Sequence, residues 1–424
     1  MTLSMLCHRF CLVSTVFAHV ALSAAERDWP EFRGLTTQGI SRAKNLPLTW
    51  NAAPGTLETN IVWKTALKGE GWSSPALHDD RIYLTSALPR VDGGGVSLEA
   101  LCVSAQDGKI LWQTPVFLQE KIASIHRKNG NASPTPIVEK DRLYVHFGHM
   151  GTACLKLDGQ ILWKNIEFTY TPVHGNGGSP ALVDDLLVFS CEGAENPFVV
   201  ALSKVDGTIR WKTARTTEAK KKFSFSTPTV IEVRGRKQII SPGSGAVCAY
   251  DPKDGAELWR ARYGEGYSVI PRPVFANGLL FIATGYDRPT VFAVKPDGKG
   301  DVTDTHVVWT VTRGAPNTPS LLVVEDRLYM VSDAGILTCL EARTGKELWQ
   351  ERIGGNFSAS PILAEGRIYL QSEEGVGTVV DSGKTFQRLA QNDLGERSLA
   401  SYAAADGVLF IRTANHLFRV GSTK

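Results

Sequence analysis

From Ile61 to the C-terminus the chain alternates short apolar runs with polar turns. Segments such as Ile82-Tyr-Leu84, Leu143-Tyr-Val145, Leu186-Leu-Val-Phe189, Leu279-Leu-Phe-Ile282, Leu328-Tyr-Met-Val331 and Ile368-Tyr-Leu370 read as half-buried strands. Each follows a polar turn such as His78-Asp79-Asp80-Arg81 or Glu325-Asp326-Arg327. Ahead of each turn stands another apolar run, opened by a Ser74-Pro75, Thr135-Pro136, Ser179-Pro180, Thr227-Pro228, Arg272-Pro273, Thr318-Pro319 or Ser360-Pro361 step. A first strand position suits proline, because no ladder donor is lost there.

Each unit then closes on a third strand, a turn, and a fourth strand carrying Trp. The pattern is Asp107-Gly-Lys-Ile-Leu-Trp112, Asp158-Gly-Gln-Ile-Leu-Trp163, Asp206-Gly-Thr-Ile-Arg-Trp211, Asp254-Gly-Ala-Glu-Leu-Trp259, the looser Val307-Val-Trp309, and Thr344-Gly-Lys-Glu-Leu-Trp349. The Trp-to-Trp steps are 51, 48, 48, 50 and 40 residues, a fixed period that means a repeat architecture. Asp-Gly between apolar runs predicts a tight hairpin with positive φ at both central residues.

The prediction is an all-β, eight-bladed β-propeller of four-stranded antiparallel blades. The eighth unit starts near Ser401-Tyr402, runs through Val408–Arg412 and His416–Val420, and stops without a Trp strand. Ile61-Val-Trp63-Lys-Thr-Ala-Leu67 matches Ile110–Val116, so the N-terminal strand is expected to complete that last blade and close the ring. Closure removes exposed sheet edges. The seventh unit is degenerate, with Gly383-Lys-Thr-Phe386 in place of the Trp motif, and a seven-blade count is the competing reading.

Composition adds little to this and removes much. Of 424 residues, 40 are Gly and 21 Pro, as many turns require. A net charge of +3 gives no case for nucleic acid. Residues 1–25 read as a secretory signal peptide: Arg9, an apolar stretch from Phe10 to Ser23, then Ser23-Ala24-Ala25. No Cys follows the apolar stretch, so the expectation is an exported chain, periplasmic or extracellular, that is not a lipoprotein and has no membrane insertion. Residues 26–60 form a lead-in strap and 61–424 the propeller. The mature chain would keep Cys102, Cys154, Cys191, Cys248 and Cys339, an odd set without metal or disulfide spacing. Cys102, Cys154, Cys248 and Cys339 stand at comparable distances before the hairpin and read as small apolar filler.

A run of units with a Gly-x-x-x-Trp turn-and-strand resembles the pyrroloquinoline-quinone (PQQ) repeat family. The resemblance covers the mature chain, implies a quinoprotein alcohol dehydrogenase-like propeller, and implies that Trp63, Trp112, Trp163, Trp211, Trp259, Trp309 and Trp349 dock neighbouring blades. Part of that family consists of dehydrogenases holding PQQ with calcium on the axis. Their alcohol-oxidising members carry an adjacent Cys pair, which is missing here. Another part is the non-enzymatic propeller subunit of the machinery inserting outer-membrane β-barrels. The opening Asp28-Trp-Pro-Glu-Phe-Arg-Gly34 resembles exported repeat proteins of no assigned reaction.

Propeller ligands meet the loops entering each innermost strand. These loops carry Trp72, His126, Arg127, Lys128, Asn129, Asn131, His174, Asn176, Phe225, Tyr267, Arg272, Asn317, Asn356, Phe357 and Tyr402. Aromatic, cationic and amide groups with few acids suit a small polar or anionic ligand, or a peptide from a protein partner. His126 and His174 are placed to face one another; without a carboxylate they make a poor metal site, and no metal is expected. Arg272 stands where other units carry Ser or Thr. It is either a ligand cation near the axis, so that Arg272→Ala spares stability, or half of an internal salt bridge. Asp297–Asp304 reads as a surface hairpin insertion and Lys220-Lys-Lys222 as a solvated loop. The resulting expectation is a monomeric, non-catalytic scaffold with no cofactor. The alternatives are a PQQ-dependent oxidoreductase and an outer-membrane protein assembly factor.

Overall fold

The computed structural model describes residues 28–90, 94–405 and 407–422; residues 1–25, expected from sequence to be a signal peptide, lie outside them. Eight sheets make a ring of eight blades. Blade 1 comprises Ala76–His78, Arg81–Pro89, Val96–Ser104 and Ile110–Gln119, paired in sequence order and antiparallel. Blades 2 to 7 repeat the plan, with innermost strands at Ile137–Glu139, Ala181–Val183, Thr229–Val233, Val274–Ala276, Leu322–Val324 and Ile362–Ala364. Blade 8 takes three strands from Ala403–Gly421 and its fourth from Ile61–Ala66, where Trp63 pairs with Arg419 and Ala66 with His416. The degenerate seventh unit is a full four-stranded blade.

The repeat motif works as a lock between blades. Trp63, Trp112, Trp163, Trp211 and Trp309 each donate their indole N–H to a backbone carbonyl of the next blade: Ala105 at 3.1 Å, Leu157 at 2.9 Å, Lys204 at 3.3 Å, Pro252 at 2.9 Å and Ala342 at 3.1 Å. The next blade's hairpin Gly lies flat under that ring. A Cβ on Gly207 would stand 2.5 Å from Trp163 and one on Gly345 2.7 Å from Trp309; the contact recurs at Gly108, Gly159 and Gly255. Two residues beyond the Trp, the hydroxyls of Thr65, Thr114 and Thr213 or the amide of Asn165 donate to the same glycine's carbonyl. The Gly is therefore needed for lack of a side chain as much as for its backbone.

Two positions depart from the lock, each for a visible reason. Trp259 donates within its own blade, to Gln238 Oε1 at 2.7 Å. Beyond it lies the Asp297–Asp304 insertion, which is not a surface hairpin: Gly300–Asp301 adds to the Trp259 strand in parallel as a fifth strand, and a short helix, Thr303–His306, follows. Trp349 meets no glycine in the degenerate unit; Phe386 packs edge-on against it at 5.5 Å, and its indole N–H is buried without a partner.

Three expectations about turns and register are corrected. The outer Asp-Gly hairpins are not two-residue turns: Gly108 alone has positive φ (73°), its N–H donates to Ser104 O, and Ser104 N–H donates to Lys109 O. Both central residues have positive φ at some inner hairpins instead, as at Asp79 and Asp80 (46° and 56°), where His78 pairs directly with Arg81, whereas at Lys140, Asp184 and Glu325 only the first does. Cys102, Cys154 and Cys339 lie opposite their Trp, but Cys248 sits one residue earlier and Ala249 faces Trp259. The five cysteines among the described residues are free and buried. In the sixth unit the inner strand starts two residues after Ser320, so Ser320, not Thr318, holds the place of Ser74 or Thr135.

Residues 28–60 run across one end of the ring. Trp29 exchanges two backbone hydrogen bonds with Leu77 of blade 1, Pro30 O accepts from Val138 of blade 2, and Arg33 donates to Leu321 O beside blade 6. Gly39 and Ser41 then pair with Leu363 of blade 7. The path crosses the axis and leaves Phe32 there.

Candidate functional site

The residues two before each innermost strand form a ring about the axis: Ser74, Thr135, Ser179, Thr227, Arg272, Ser320, Ser360 and Ser401. Each N–H donates to the next blade's hydroxyl, from Ser74 to Thr135 (2.9 Å), Thr135 to Ser179 (2.9 Å) and Ser179 to Thr227 (2.9 Å). It resumes from Arg272 to Ser320 (3.0 Å), Ser320 to Ser360 (3.0 Å), Ser360 to Ser401 (2.8 Å) and Ser401 to Ser74 (3.1 Å). The gap falls at Thr227, because Arg272 has no hydroxyl to accept. Short β-branched or hydroxylic residues suit this place: they satisfy a backbone donor that no strand can reach.

Above the ring opens a cavity of about 260 Å³, floored by Phe32. One wall is a chain of rings. His126 meets His174 at 5.5 Å, His174 meets Phe223 at 5.3 Å, Phe223 meets Tyr267 at 5.3 Å, and Tyr267 meets Tyr286 at 6.4 Å. The first three contacts are edge-to-face and the last is tilted, which holds the aromatic faces at fixed angles. Trp72 stands across the cavity under the Arg397 guanidinium, 5.4 Å from it. Burial, then the nearby positive charge, lowers the His126 pKa, so its imidazole is neutral at pH 7.

The loop between blades 1 and 2 folds over the opening. Lys128 reaches Glu373 of blade 7 at 2.7 Å, Arg397 of blade 8 donates to Arg127 O, and Asn129 donates to His174 O. Ser358 also donates to Glu373. A single loop thus touches blades 3, 7 and 8 around the mouth.

Of the residues anticipated from sequence, Trp72, His126, Lys128, Asn129, His174, Phe225 and Tyr267 line this cavity. The others do not. Arg127 is exposed and offers its carbonyl, and Asn131 is half-buried outside the lining. Asn176 is buried between loops, bonded to Phe147 O, His149 and Tyr170. The Asn317 and Thr318 N–H groups donate to Asp333. Asn356 pairs with Glu374, and Phe357 is core. Tyr402 is buried, its hydroxyl donating to Gln371 Oε1 at 2.5 Å.

Arg272 needs the firmest correction. It is 1% exposed, and its guanidinium turns away from the ring to bond Glu31 Oε2 (3.0 and 3.1 Å), Phe32 O (2.6 Å), Pro228 O and Thr229. It clamps the crossing segment instead of meeting a ligand. Burial raises the Glu31 pKa and lowers that of Arg272, each against the pull of its partner.

Sequence reasoning missed Phe32, Phe223, Tyr286 and Glu373. Tyr286 and Glu373 come from loops joining the second and third strands, which open on the same end as the loops entering the first. Phe32 arrives from the crossing segment, whose path no local pattern encodes.

Metal chemistry has little to build on here. No Asp or Glu is in the cavity lining, and calcium takes six to eight oxygen ligands with carboxylates prominent among them. The lining does not fit a calcium-quinone centre. Elsewhere, Asp28, His78 and Asp79 cluster, but His78 is flanked by both carboxylates, at 2.9 and 3.5 Å, as part of the segment's anchorage. Among the described residues no helix is long and apolar enough to cross a membrane.

The PQQ_2 family model, described as "Outer membrane protein assembly factor BamB", matches residues 44–166, 166–305 and 298–417. The chain belongs to this PQQ-like repeat family. It is 26% identical over 359 residues to the outer membrane protein assembly factor BamB of Yersinia pestis, covering 83% of this chain and 76% of that one. It is also 25% identical over 342 residues to the tetrathionate hydrolase of Acidithiobacillus ferrooxidans, covering 77% of this chain. The matched region spans 55%, about half, of that hydrolase. Among solved structures, BamB from Moraxella catarrhalis superposes with a TM-score of 0.58 at 14% identity, over 86% of this chain and 98% of that one. A quinohemoprotein alcohol dehydrogenase from Pseudomonas putida gives 0.65 at 11% identity, over 96% and 82%. At such identities the likeness is one of fold.

Proposed function

We propose that this family member is an exported, non-catalytic propeller that binds a small polar ligand, or a peptide of a protein partner, in the axial cavity. The observation that carries the reading is the lining itself. It joins an aromatic wall to a ring of hydroxyls, as ligand sites do, and lacks the parts of a catalytic centre. No lining carboxylate is available as a base, and no lining hydroxyl is hydrogen-bonded to His126 or His174. A relative named for tetrathionate, itself an anion, agrees with a polar or anionic ligand. Export is supported by the leader-like residues 1–25 and by relatives named for the outer membrane.

The test is capture from envelope extract with the intact protein and with Tyr267→Ala, alongside a thermal-shift screen of small polar compounds. Capture or a shift lost in Tyr267→Ala supports the reading. Dye-linked alcohol or sugar oxidation on adding PQQ and calcium would replace it with the oxidoreductase alternative. Family membership favours one second reading, a role in outer-membrane protein assembly. Retention of β-barrel insertion components by the intact protein, undiminished in Tyr267→Ala, would move the function there and off the axis.

A further inference from the structure

The cavity is unusual in what stands behind it. Arg412, 2% exposed, donates through Nη1 to Ser73 O (3.3 Å), Ser73 Oγ (2.6 Å) and Thr85 O (2.9 Å). No carboxylate meets it, and its Nε is buried without any partner. Ser73 lies between Trp72 and Ser74, both in the lining. Position 71 is Gly, and a Cβ there would stand 2.7 Å from Arg412 Nη2, so the backbone is shaped to admit the guanidinium.

A second cation lies under the floor. Arg33 follows Phe32 in the chain, is 1% exposed, and bonds only Gln38 O and Leu321 O, both at 2.6 Å. Its Nε and Nη1 are buried and unpartnered. Nearby Arg272 has taken the one carboxylate, Glu31. Two guanidiniums thus share one acid. Burial holds both Arg33 and Arg412 down to about 9, still protonated at neutral pH.

The acids near the mouth do not cancel this charge. Glu373 is paired with Lys128, and Asp333, which keeps its charge, lies outside the lining and is turned to the Asn317 and Thr318 donors. The ring hydroxyls add to it: each accepts an N–H, and apart from Ser360, whose proton goes to Ser320 Oγ, each keeps a proton to offer. A buried cation without a counter-charge is expensive, and a low-dielectric cavity focuses its field.

We propose that the axial cavity is an anion site whose positive field is set from behind its lining by Arg412 and Arg33. Its ligand carries a carboxylate, phosphate or sulfonate group that meets the hydroxyl ring and Lys128, with any unsaturated or apolar face against the aromatic wall. The proposal rests on the cavity being the ligand site.

The test reads the field without knowing the ligand. Ile270 lines the cavity, and the five thiols among the described residues are buried, so Ile270→Cys, made with Cys7→Ser and Cys11→Ser, places one reactive thiol there. Its pKa should lie at least about one unit below the usual 8.5. A dianionic aromatic disulfide should modify it at least about tenfold faster than a cationic one, each normalised to free cysteine, and salt should erase the difference. Benzoate should protect the thiol at concentrations where benzamide, its neutral isostere, does not. Arg412→Gln in this background should raise the thiol pKa; if that variant fails to fold, Lys128→Gln should weaken benzoate protection several-fold. A thiol at or above 8.5, or equal protection by benzamide, overturns the anion assignment. Failure of the captures above with an acidic thiol would retire the binding reading alone. A neutral ligand captured by a protein with an ordinary thiol would retire the anion assignment alone.

Discussion

The rim and the mouth of this ring are built on opposite rules. At the rim the same contact is made again and again: a Trp from one blade lies on the hairpin Gly of the next and donates to its backbone. Above the hydroxyl ring, at the mouth, no two blades present the same loop. The mouth takes rings from blades 2 to 5, a lysine from one loop and a glutamate from blade 7. The difference teaches that periodic positions carry cohesion while departures from the period carry chemistry or anchorage.

The strongest way to break that contrast is at the rim. Trp211→Ala removes a buried indole and its bond to Pro252 O, and should destabilise by about 3–5 kcal/mol in chemical denaturation, with the mouth unchanged in ligand assays. Arg272→Met should approach it, at about 3 kcal/mol, because Glu31 is left buried without its cation. Exchanging both partners, Arg272→Met with Glu31→Leu, should recover part of the loss. A lone Arg272→Met as stable as the parent would show that the clamp is idle.

Two glycines of nearly equal φ sharpen the rim rule. Gly207 (φ +75°) faces Trp163, whereas Gly235 (φ +76°) has open space around its missing Cβ. Gly235→Ala should cost about 1–2 kcal/mol, the backbone part alone. Gly207→Ala should cost at least about 1 kcal/mol more, as overpacking adds to it. Equal midpoint shifts would remove the claim that the ring face selects the glycine.

A seam between blades 2 and 3 supplies a pH test. His146 is buried, lies 4.2 Å from Phe189, shares a hydrogen bond with Thr152, and is held down to about 3 by burial. The folded state keeps it neutral, while the unfolded chain takes a proton below about 6.5. Its contribution is therefore complete above pH 6.5 and is lost as pH falls toward 3. Between pH 6.5 and 5 the parent should lose roughly 2 kcal/mol more than His146→Gln, read from denaturation curves. The smallest effect belongs to the mouth. Lys128→Gln should change stability by under about 1 kcal/mol, since the pair is partly solvated, yet quicken thiol modification of Ile270→Cys by small neutral reagents.

Fold and site were unequally legible. The Trp spacing and the match between Ile61–Leu67 and Ile110–Val116 were enough for eight blades and for the strand that closes them, because both are local patterns repeated in register. Arg272 was visible as an exception, but its direction was not: that depends on Glu31, 241 residues away. Asn176 and Tyr402 sat in the anticipated loops and turned inward to partners such as His149 and Gln371. Their loop positions fixed which end of the ring they occupy, and side-chain packing fixed which way they point. The mouth's Tyr286 and Glu373 were overlooked because only one of the two loop sets opening on that end was considered.

The closing pair, Ile61 with Val420, joins the first strand of the described residues to the last. That makes the ring a structure with an order of assembly. Blades 1 to 7 can each zip from contiguous chain, but blade 8 cannot form until its three late strands meet one that has waited since the start. Until then the Ile61–Ala66 strand keeps an unpaired edge, and the crossing segment before it has no complete surface to cross. Whatever binds the waiting strand in that interval competes directly with completion of the fold, so the last step of folding is also its most exposed.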